Sequence, residues 1–237
     1  VLAGIAVAGE IFHCIDATLV VDIRIVDGTR VAVGDIALYV SGSIHSILVA
    51  ERLVLNVMQR MSRIATSTAL YVQALEGTKT QVLDTRKTSP LLRFLEKEAV
   101  RIGGGANHRF GLYDMILIKD NHVDYAGGIA AALQRAVAYK KANNLSIPIE
   151  IEVRNLTELA EVLAQEKVDR VMLDNFSPAQ VAEAVELIDG RLMTEASGGI
   201  TLSSIRAFAD AGVDYISVGA LTHSVKCLDL SLKAKLI

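Results

Sequence analysis

The 237-residue chain has no tryptophan, three prolines, two cysteines and only 5% aromatic residues. Two cysteines, Cys14 and Cys227, cannot make a disulfide framework, and no pair of Cys-x-x-Cys spacings offers a zinc site, so a reducing, cytoplasmic setting is expected with both thiols as inert core residues. No uninterrupted apolar run approaches the roughly 20 residues of a membrane span. The amino-terminal VLAGIAVAGEIF has no basic flank and is broken by Gly4, Gly9 and Glu10, so it does not read as an export signal. Positive charge is not in excess: 24 Lys and Arg stand against 27 Asp and Glu, for a net charge of −3. Without a basic stripe interleaved with aromatics, nucleic acid is excluded as a partner. No Ser–His–Asp arrangement stands out, which argues against nucleophilic hydrolysis.

What is present is apolar residue, 51% of the chain with a mean hydropathy of +0.39. Doubly buried parallel strands and a subunit interface are the natural places for it. Residues 1–45 read as a small β-rich module, with alternating segments at 18–24, 30–33 and 36–40 separated by Asp27-Gly28 and Gly34-Asp35 turns. From Ser46 to Leu75 the pattern is helical, with Leu48, Leu53, Val57, Met61, Ile64 and Leu70 as its apolar stripe. Beyond Thr80, strands are predicted at 81–84, 115–118, 147–153, 168–173, 191–196 and 213–218, with helices between them. Asn155-x-x-Glu158 and Ser177-Pro-x-Gln180 read as capping boxes that start two of those helices. Regular βαβα alternation implies a parallel sheet.

Chemistry-bearing residues fall at or just after the carboxyl ends of these strands: Arg86 and Lys87, Lys119, Glu152, Asp174, Ser197-Gly198-Gly199 and Gly219. An open doubly wound sheet gathers such residues only at its switch point, whereas a parallel barrel presents them all on one rim, so a barrel is favoured. Within the segment Asp84–His122, four of the cations, Arg86, Lys87, Arg109 and Lys119, lie with His108 and His122 in short polar breaks and after a Gly103-Gly104-Gly105 turn read as flexible. Such a mixture suits a small anion. Glu152 and Asp174 on neighbouring strand ends suit a metal ion or ribose hydroxyls, with Glu150 on the same face of the strand. The segments Glu195–Ile205 and Tyr215–Ser224 are strand–turn–helix units able to cradle a phosphate. His13 and His45 have no polar company, and His223 is a weak candidate.

Several of these segments together resemble the quinolinate phosphoribosyltransferase family: ERLVLNVMQRMSRIAT (51–66), LDTRKT (83–88), GGGANHRFGLYDMILIKDNH (103–122), IEIEV (149–153), MLDNFS (172–177), EASGGI and ISVGALTHS. The resemblance covers nearly the whole chain. It implies an α/β fold: a small open-faced α/β sandwich domain over 1–62 with a helical linker, truncated at its amino terminus, an incomplete parallel α/β barrel over 63–222, and a segment, 223–237, returning to the small domain. It implies transfer of phosphoribose from phosphoribosyl pyrophosphate to quinolinate with loss of carbon dioxide, Mg²⁺ as cofactor, and a homodimer or higher oligomer with shared sites. By the family's pattern Arg86, His108, Arg109 and Lys119 surround the quinolinate carboxylates and Lys87 lies near the pyrophosphate. Glu152 and Asp174 hold ribose and metal, and the Ser197–Gly199 and Ser217–Gly219–Ala220 turns take the 5-phosphate. Arg52 enters the partner subunit's pocket. A molybdenum-locus relative shares the TRKT-type segments, but the intact IKDNH at 118–122 argues against it. A lipoyl-type carrier module is disfavoured because residues 1–50 contain no lysine.

Overall fold

The structure, a computed structural model, describes residues 1–165 and 167–235. The chain runs α1 (Ile5–Ile15), β1 (Val20–Ile23), β2 (Leu38–Ser41), α2 (Ile44–Ala74), β3 (Gln81–Leu83), α3 (Arg93–Ile102) and β4 (Ile116–Ile118). It continues through α4 (Asp120–Ala126), α5 (Ile129–Ala142), β5 (Ile149–Val153), α6 (Leu156–Leu163) and β6 (Arg170–Asp174). It ends with α7 (Pro178–Ile188), β7 (Met193–Ser197), α8 (Ile205–Asp210), β8 (Tyr215–Ser217) and α9 (Ala220–His223). Two compact units result. One comprises Val1–Val72, Lys87–Ala106 and the chain from Ala220 onward, and the other Gln73–Arg86 with Asn107–Gly219.

In the first unit β1 and β2 form an antiparallel pair with Val20 opposite Ser41. To the β-rich module read from the sequence the structure adds a helix at its start: Ile5, Ala8 and Phe12, spaced for one helical face, make α1 and bury against Leu19, Ala50, Val54 and Met58. Each large side chain in this cluster contributes about 1.5–3 kcal/mol of burial free energy. Residues 30–33 form no strand, and Val33 is fully exposed. The stripe expected on α2 also shifts. Met61 and Ile64 are buried as expected, together with Ala50, Val54, Leu55, Met58, Ala65 and Thr68, while Leu48, Leu53 and Leu70 lie exposed, because small residues and methionines make up much of the helix-packing face. The triple-glycine turn is a packing device. A Cβ on Gly103 would stand 2.5 Å from the Ala65 carbonyl oxygen and one on Gly105 2.8 Å from Thr68 Cγ2, so both positions let the chain press onto α2.

The second unit holds six parallel strands in the order β3-β8-β7-β6-β5-β4. Read cyclically this is sequence order, broken only between β3 and β4, and that is an incomplete barrel. Period two divides the strands. Ile149, Ile151, Val153, Val171, Leu173, Ala196 and Ile216 form one buried apolar face, and the alternate set contains Glu150, Glu152, Met172, Asp174, Glu195, Ser197 and Ser217. The double burial expected of the strands is therefore real, but one face is built from carboxylates. Ser177 forms the full capping box with Gln180 and Pro178 at the first helical position. Asn155 caps Glu158 N–H, yet the Glu158 carboxylate turns to the Arg154 N–H (2.8 Å) and guanidinium instead of closing a box. Both cysteines are exposed, which corrects their assignment to the core. Among the described residues no helix, α2 included, is long and apolar enough to cross a membrane.

Candidate active site

The rim at the carboxyl ends of the barrel strands carries Arg86 beyond β3, Lys119 next to β4, Glu152 near the end of β5, and Asp174, Ser197 and Ser217 as the last residues of β6, β7 and β8. Burial, and after it the charge of Arg86, lowers the pKa of the half-buried Arg109. Arg86 is thus near enough for its charge to be felt at Arg109, an arrangement suited to an anion with more than one charge. Arg109 also donates to the Met115 carbonyl at 3.3 Å. Lys119 Nζ donates to Glu152 Oε2 at 3.1 Å. Asp174 accepts from Ser197 Oγ and from Asn175 Nδ2, both at 2.7 Å.

The Glu152 pKa is raised chiefly by burial; Lys119 opposes this, while the charges of Asp174 and Asp120 add to it. Carboxylate oxygens gathered in this way are the hard donors a magnesium ion prefers, so Glu152 and Asp174 fit the expected ion. At the next turn Gly198 has φ +100°, and a Cβ there would lie 2.2 Å from Asn175 Oδ1. Only glycine lets β7 hand over to its loop so close to Asn175. Gly199 also has positive φ, and with Gly198 it is exposed on the rim.

His108 takes an inward position. It is buried, and its Nε2 lies 3.0 Å from Glu150 Oε2 and 3.3 Å from Glu195 Oε2. Glu195 also accepts from Arg170 Nη1 at 3.0 Å, and the Arg170 guanidinium stacks over the Tyr215 ring at 4.2 Å. Burial alone would lower the His108 pKa, but the two carboxylates outweigh it and lift the value to about 9. Burial and the Glu195 charge push Glu150 up to about 7. Glu195, against its burial, is drawn below the ordinary range by His108, Ser217 and Arg170. Ligand atoms of His108, Glu150 and Glu195 lie within 4.8 Å of one another. Arg170 already neutralises one of these carboxylates, so we read the trio as an internal ion cluster.

Of the remaining sequence candidates, His122 and Gly219 lie in the second unit, and Arg52, Lys87 and Ala220 in the first. Arg52 is exposed on α2. Lys87 is exposed, and its carbonyl accepts from Thr222 Oγ1 of α9 at 2.8 Å, two residues past Ala220. His13 and His45 are exposed, as is His223, whose Nδ1 pairs with Ser224 Oγ at 2.6 Å. Sequence reasoning missed Glu195 and Arg170, although the alternation that placed Glu150 beside Glu152 applies equally to Thr194-Glu195-Ala196. It also missed Arg60, whose guanidinium binds the buried Glu96 and also Ser89, two residues after Lys87.

Comparison with known proteins agrees with this geometry. Residues 64–233 match the quinolinate phosphoribosyl transferase C-terminal domain and residues 1–62 its N-terminal domain. The chain is 47% identical over 247 residues to the chloroplastic nicotinate-nucleotide pyrophosphorylase (carboxylating) of Arabidopsis thaliana, with 98% of this chain and 70% of that protein covered. It is 43% identical to the probable nicotinate-nucleotide pyrophosphorylase of Bacillus subtilis, covering all of this chain and 80% of that one. The crystal structure of NadC from Streptococcus pyogenes superposes with a TM-score of 0.93 at 44% identity, over 99% of this chain and 81% of that one. The nicotinate-nucleotide pyrophosphorylase of Francisella tularensis gives 0.90 at 43%, over 97% and 80%. With both domain families matched end to end, the chain belongs to the quinolinate phosphoribosyltransferase family.

Proposed function

We propose that this rim transfers phosphoribose from phosphoribosyl pyrophosphate to quinolinate and decarboxylates the adduct, giving nicotinate mononucleotide, pyrophosphate and carbon dioxide in NAD biosynthesis. The observation that carries the reading is the rim's Lys119–Glu152 and Asp174–Ser197 pairs together with Arg86, whose charge is felt at Arg109. A dicarboxylate needs at least two cations, because a carboxylate taken out of water without a partner is costly. Arg86, Arg109 and Lys119 supply them. Glu152 and Asp174 address the ribose and hold Mg²⁺, which when bound offsets negative charge on the departing pyrophosphate. The Ser197-Gly198-Gly199 and Ser217–Ala220 turns take the 5-phosphate and Lys87 the pyrophosphate.

In this reading the bond from ribose C1 to pyrophosphate oxygen breaks with its electron pair leaving on pyrophosphate, and the pyridine nitrogen lone pair forms the new bond to C1. The site answers the positive charge that develops on the ribose with fixed carboxylates and supplies no protein nucleophile. Ribosylation makes the ring cationic. The bond to the neighbouring carboxylate then breaks, its electron pair enters the ring, carbon dioxide departs and a proton takes its place. Holding the remaining carboxylate in register is the protein's part in that step.

We further read the enzyme as a homodimer in which Arg52 serves the partner's site. The unpaired, exposed thiols favour a reducing compartment, and the cytoplasm is our assignment. The test is release of labelled carbon dioxide from carboxyl-labelled quinolinate. It is expected only with phosphoribosyl pyrophosphate and Mg²⁺ present, and release independent of phosphoribosyl pyrophosphate, or none at all, refutes the assignment.

A further inference from the structure

Arg109 opens a closed circuit in its own chain. Its guanidinium donates to the Met115 carbonyl at 3.3 Å, and the residue just before that carbonyl, Asp114, reaches back with both side-chain oxygens. Oδ2 accepts the Phe110 N–H at 2.6 Å and Oδ1 the Gly111 N–H at 2.9 Å. Residues 109–115 lie between α3 and β4 and belong to neither, so these amides have no helix or sheet ladder to join. Gly111 is the more demanding of the two, because it is buried. A carboxylate suits the task, since it has an acceptor for each amide and its charge strengthens both bonds, whereas an asparagine offers one acceptor and sets its own NH₂ against the second amide. On the other side of Arg109 another aspartate holds the preceding peptide. The buried Asp84, directly after β3, accepts the His108 N–H at 2.9 Å.

We propose that Asp114 is the positioning residue for Arg109, closing the 109–115 loop so that the guanidinium is already in place when the dicarboxylate arrives. The inference rests on the reading of Arg109 as a dicarboxylate ligand. An arginine side chain loses much rotamer freedom on binding, and a main chain free to move beneath it would add its own entropy to that loss. Asp114 removes the main-chain part in advance. It acts on the side chain as well, because the carbonyl that takes the guanidinium belongs to the next residue and moves with it. The Asp114 charge is also felt at the arginine: burial and then Arg86 lower the Arg109 pKa, while Glu150 and Asp114 oppose them. Asp114 therefore works through Arg109 and not on the substrate.

The test has two readouts. In kinetics, Asp114→Ala frees both amides and is expected to raise the quinolinate KM about tenfold, with the phosphoribosyl pyrophosphate KM within about twofold. Asp114→Asn keeps one acceptor and should recover part of that loss, to a rise of about threefold. Parallel rises in both KM values, a wild-type quinolinate KM in the alanine variant, or equal behaviour of the two variants refutes the positioning role. If the alanine variant does not fold, the asparagine variant decides by the same split between the two KM values. The second readout is amide hydrogen exchange of the substrate-free protein, followed by NMR. Gly111 N–H is expected to be protected in the wild type and to exchange at least about tenfold faster in Asp114→Ala. An unprotected Gly111 in the wild type, or one whose protection ignores Asp114, overturns the proposal. Wild-type turnover is measured first. Its absence overturns the functional reading of the rim, while exchange at Gly111 still decides whether Asp114 closes the loop.

Discussion

Arg60→Met is the most revealing perturbation of the first unit, because it strands a charge. The Glu96 side chain is fully buried and accepts from Arg60 Nε at 2.8 Å and Nη2 at 2.5 Å, with the Ser89 N–H at 3.2 Å as its other partner. Arg60 Nη2 also reaches Ser89 Oγ at 2.7 Å and the Thr222 carbonyl at 3.4 Å. An exposed pair would contribute about 0–1 kcal/mol. Here one partner is out of water, and removing its counter-ion costs about 3–5 kcal/mol, mostly as uncompensated carboxylate. For a chain of this size that is a fall in Tm of roughly 6–20 °C.

The double variant Arg60→Met/Glu96→Leu removes both charges and fills similar volume, so it should return to within about 1–2 kcal/mol of wild type. Urea unfolding at pH 7 measures both, with m-values compared to confirm that the unfolding reaction is the same. The network also supports the segment bearing Lys87, whose carbonyl is held by Thr222. The single variant should therefore raise the KM for phosphoribosyl pyrophosphate more than that for quinolinate. A loss below about 1 kcal/mol, or a double variant as unstable as the single, refutes the argument that Glu96 is a buried charge dependent on Arg60.

Three further outcomes follow from the structure. Mixing inactive Arg52→Ala with inactive Lys119→Ala chains should restore roughly a quarter of wild-type activity, since half of randomly reassociated dimers are mixed and each carries one intact site; no recovery after verified subunit exchange removes Arg52 from the partner's pocket. Gly198→Ala sets a methyl against Asn175, whose side chain binds Asp174, so a loss of about 1–3 kcal/mol and a raised phosphoribosyl pyrophosphate KM are expected, and wild-type values for both count against the close approach. Asp214, below the barrel, accepts from Thr194 N–H and hydroxyl and from Lys79, and although burial opposes it these bonds lower its pKa. A depressed carboxyl pKa stabilises the fold fully above the ordinary aspartate range and loses that contribution as pH falls through the folded value. Asp214→Asn should therefore cost about 1–2 kcal/mol at pH 7 and progressively less below pH ~4; a gap that is constant with pH would contradict this.

The barrel strands were legible because each apolar run ends at a polar break, and the capping box at Ser177 marks a helix start unambiguously. Thus Lys119, Glu152, Asp174 and Ser197 could be placed at strand ends from the order of residues alone. The first helix was not legible in the same way. Its helix-forming face is Ile5, Ala8 and Phe12 among glycines, and small residues leave a weak pattern. The stripe of α2 misled for the related reason that alanine and methionine pack where leucine was sought. His108 stood out beside Arg109 as a ligand, but no local signal told that its ring points inward. That depends on Glu150 and Glu195, carried by strands some 40 and 85 residues further on, and on a barrel interior polar enough to receive it.

The seam between β3 and β4 sets the order in which the second unit can assemble. Strands β4 to β8 each pair with a neighbour about 20–30 residues along the chain, whereas β3 must find β8 across about 130 residues. The entropy of closing that longer loop exceeds that of a neighbouring pair by about 1.5 kcal/mol. Local pairings therefore precede it, and β3 joins a sheet already formed. Arg109, Lys119, Glu152 and Asp174 belong to the part that forms first, and Arg86 arrives with the final strand. The Lys119, Glu152 and Asp174 side of the rim is thus set before Arg86 is brought to it.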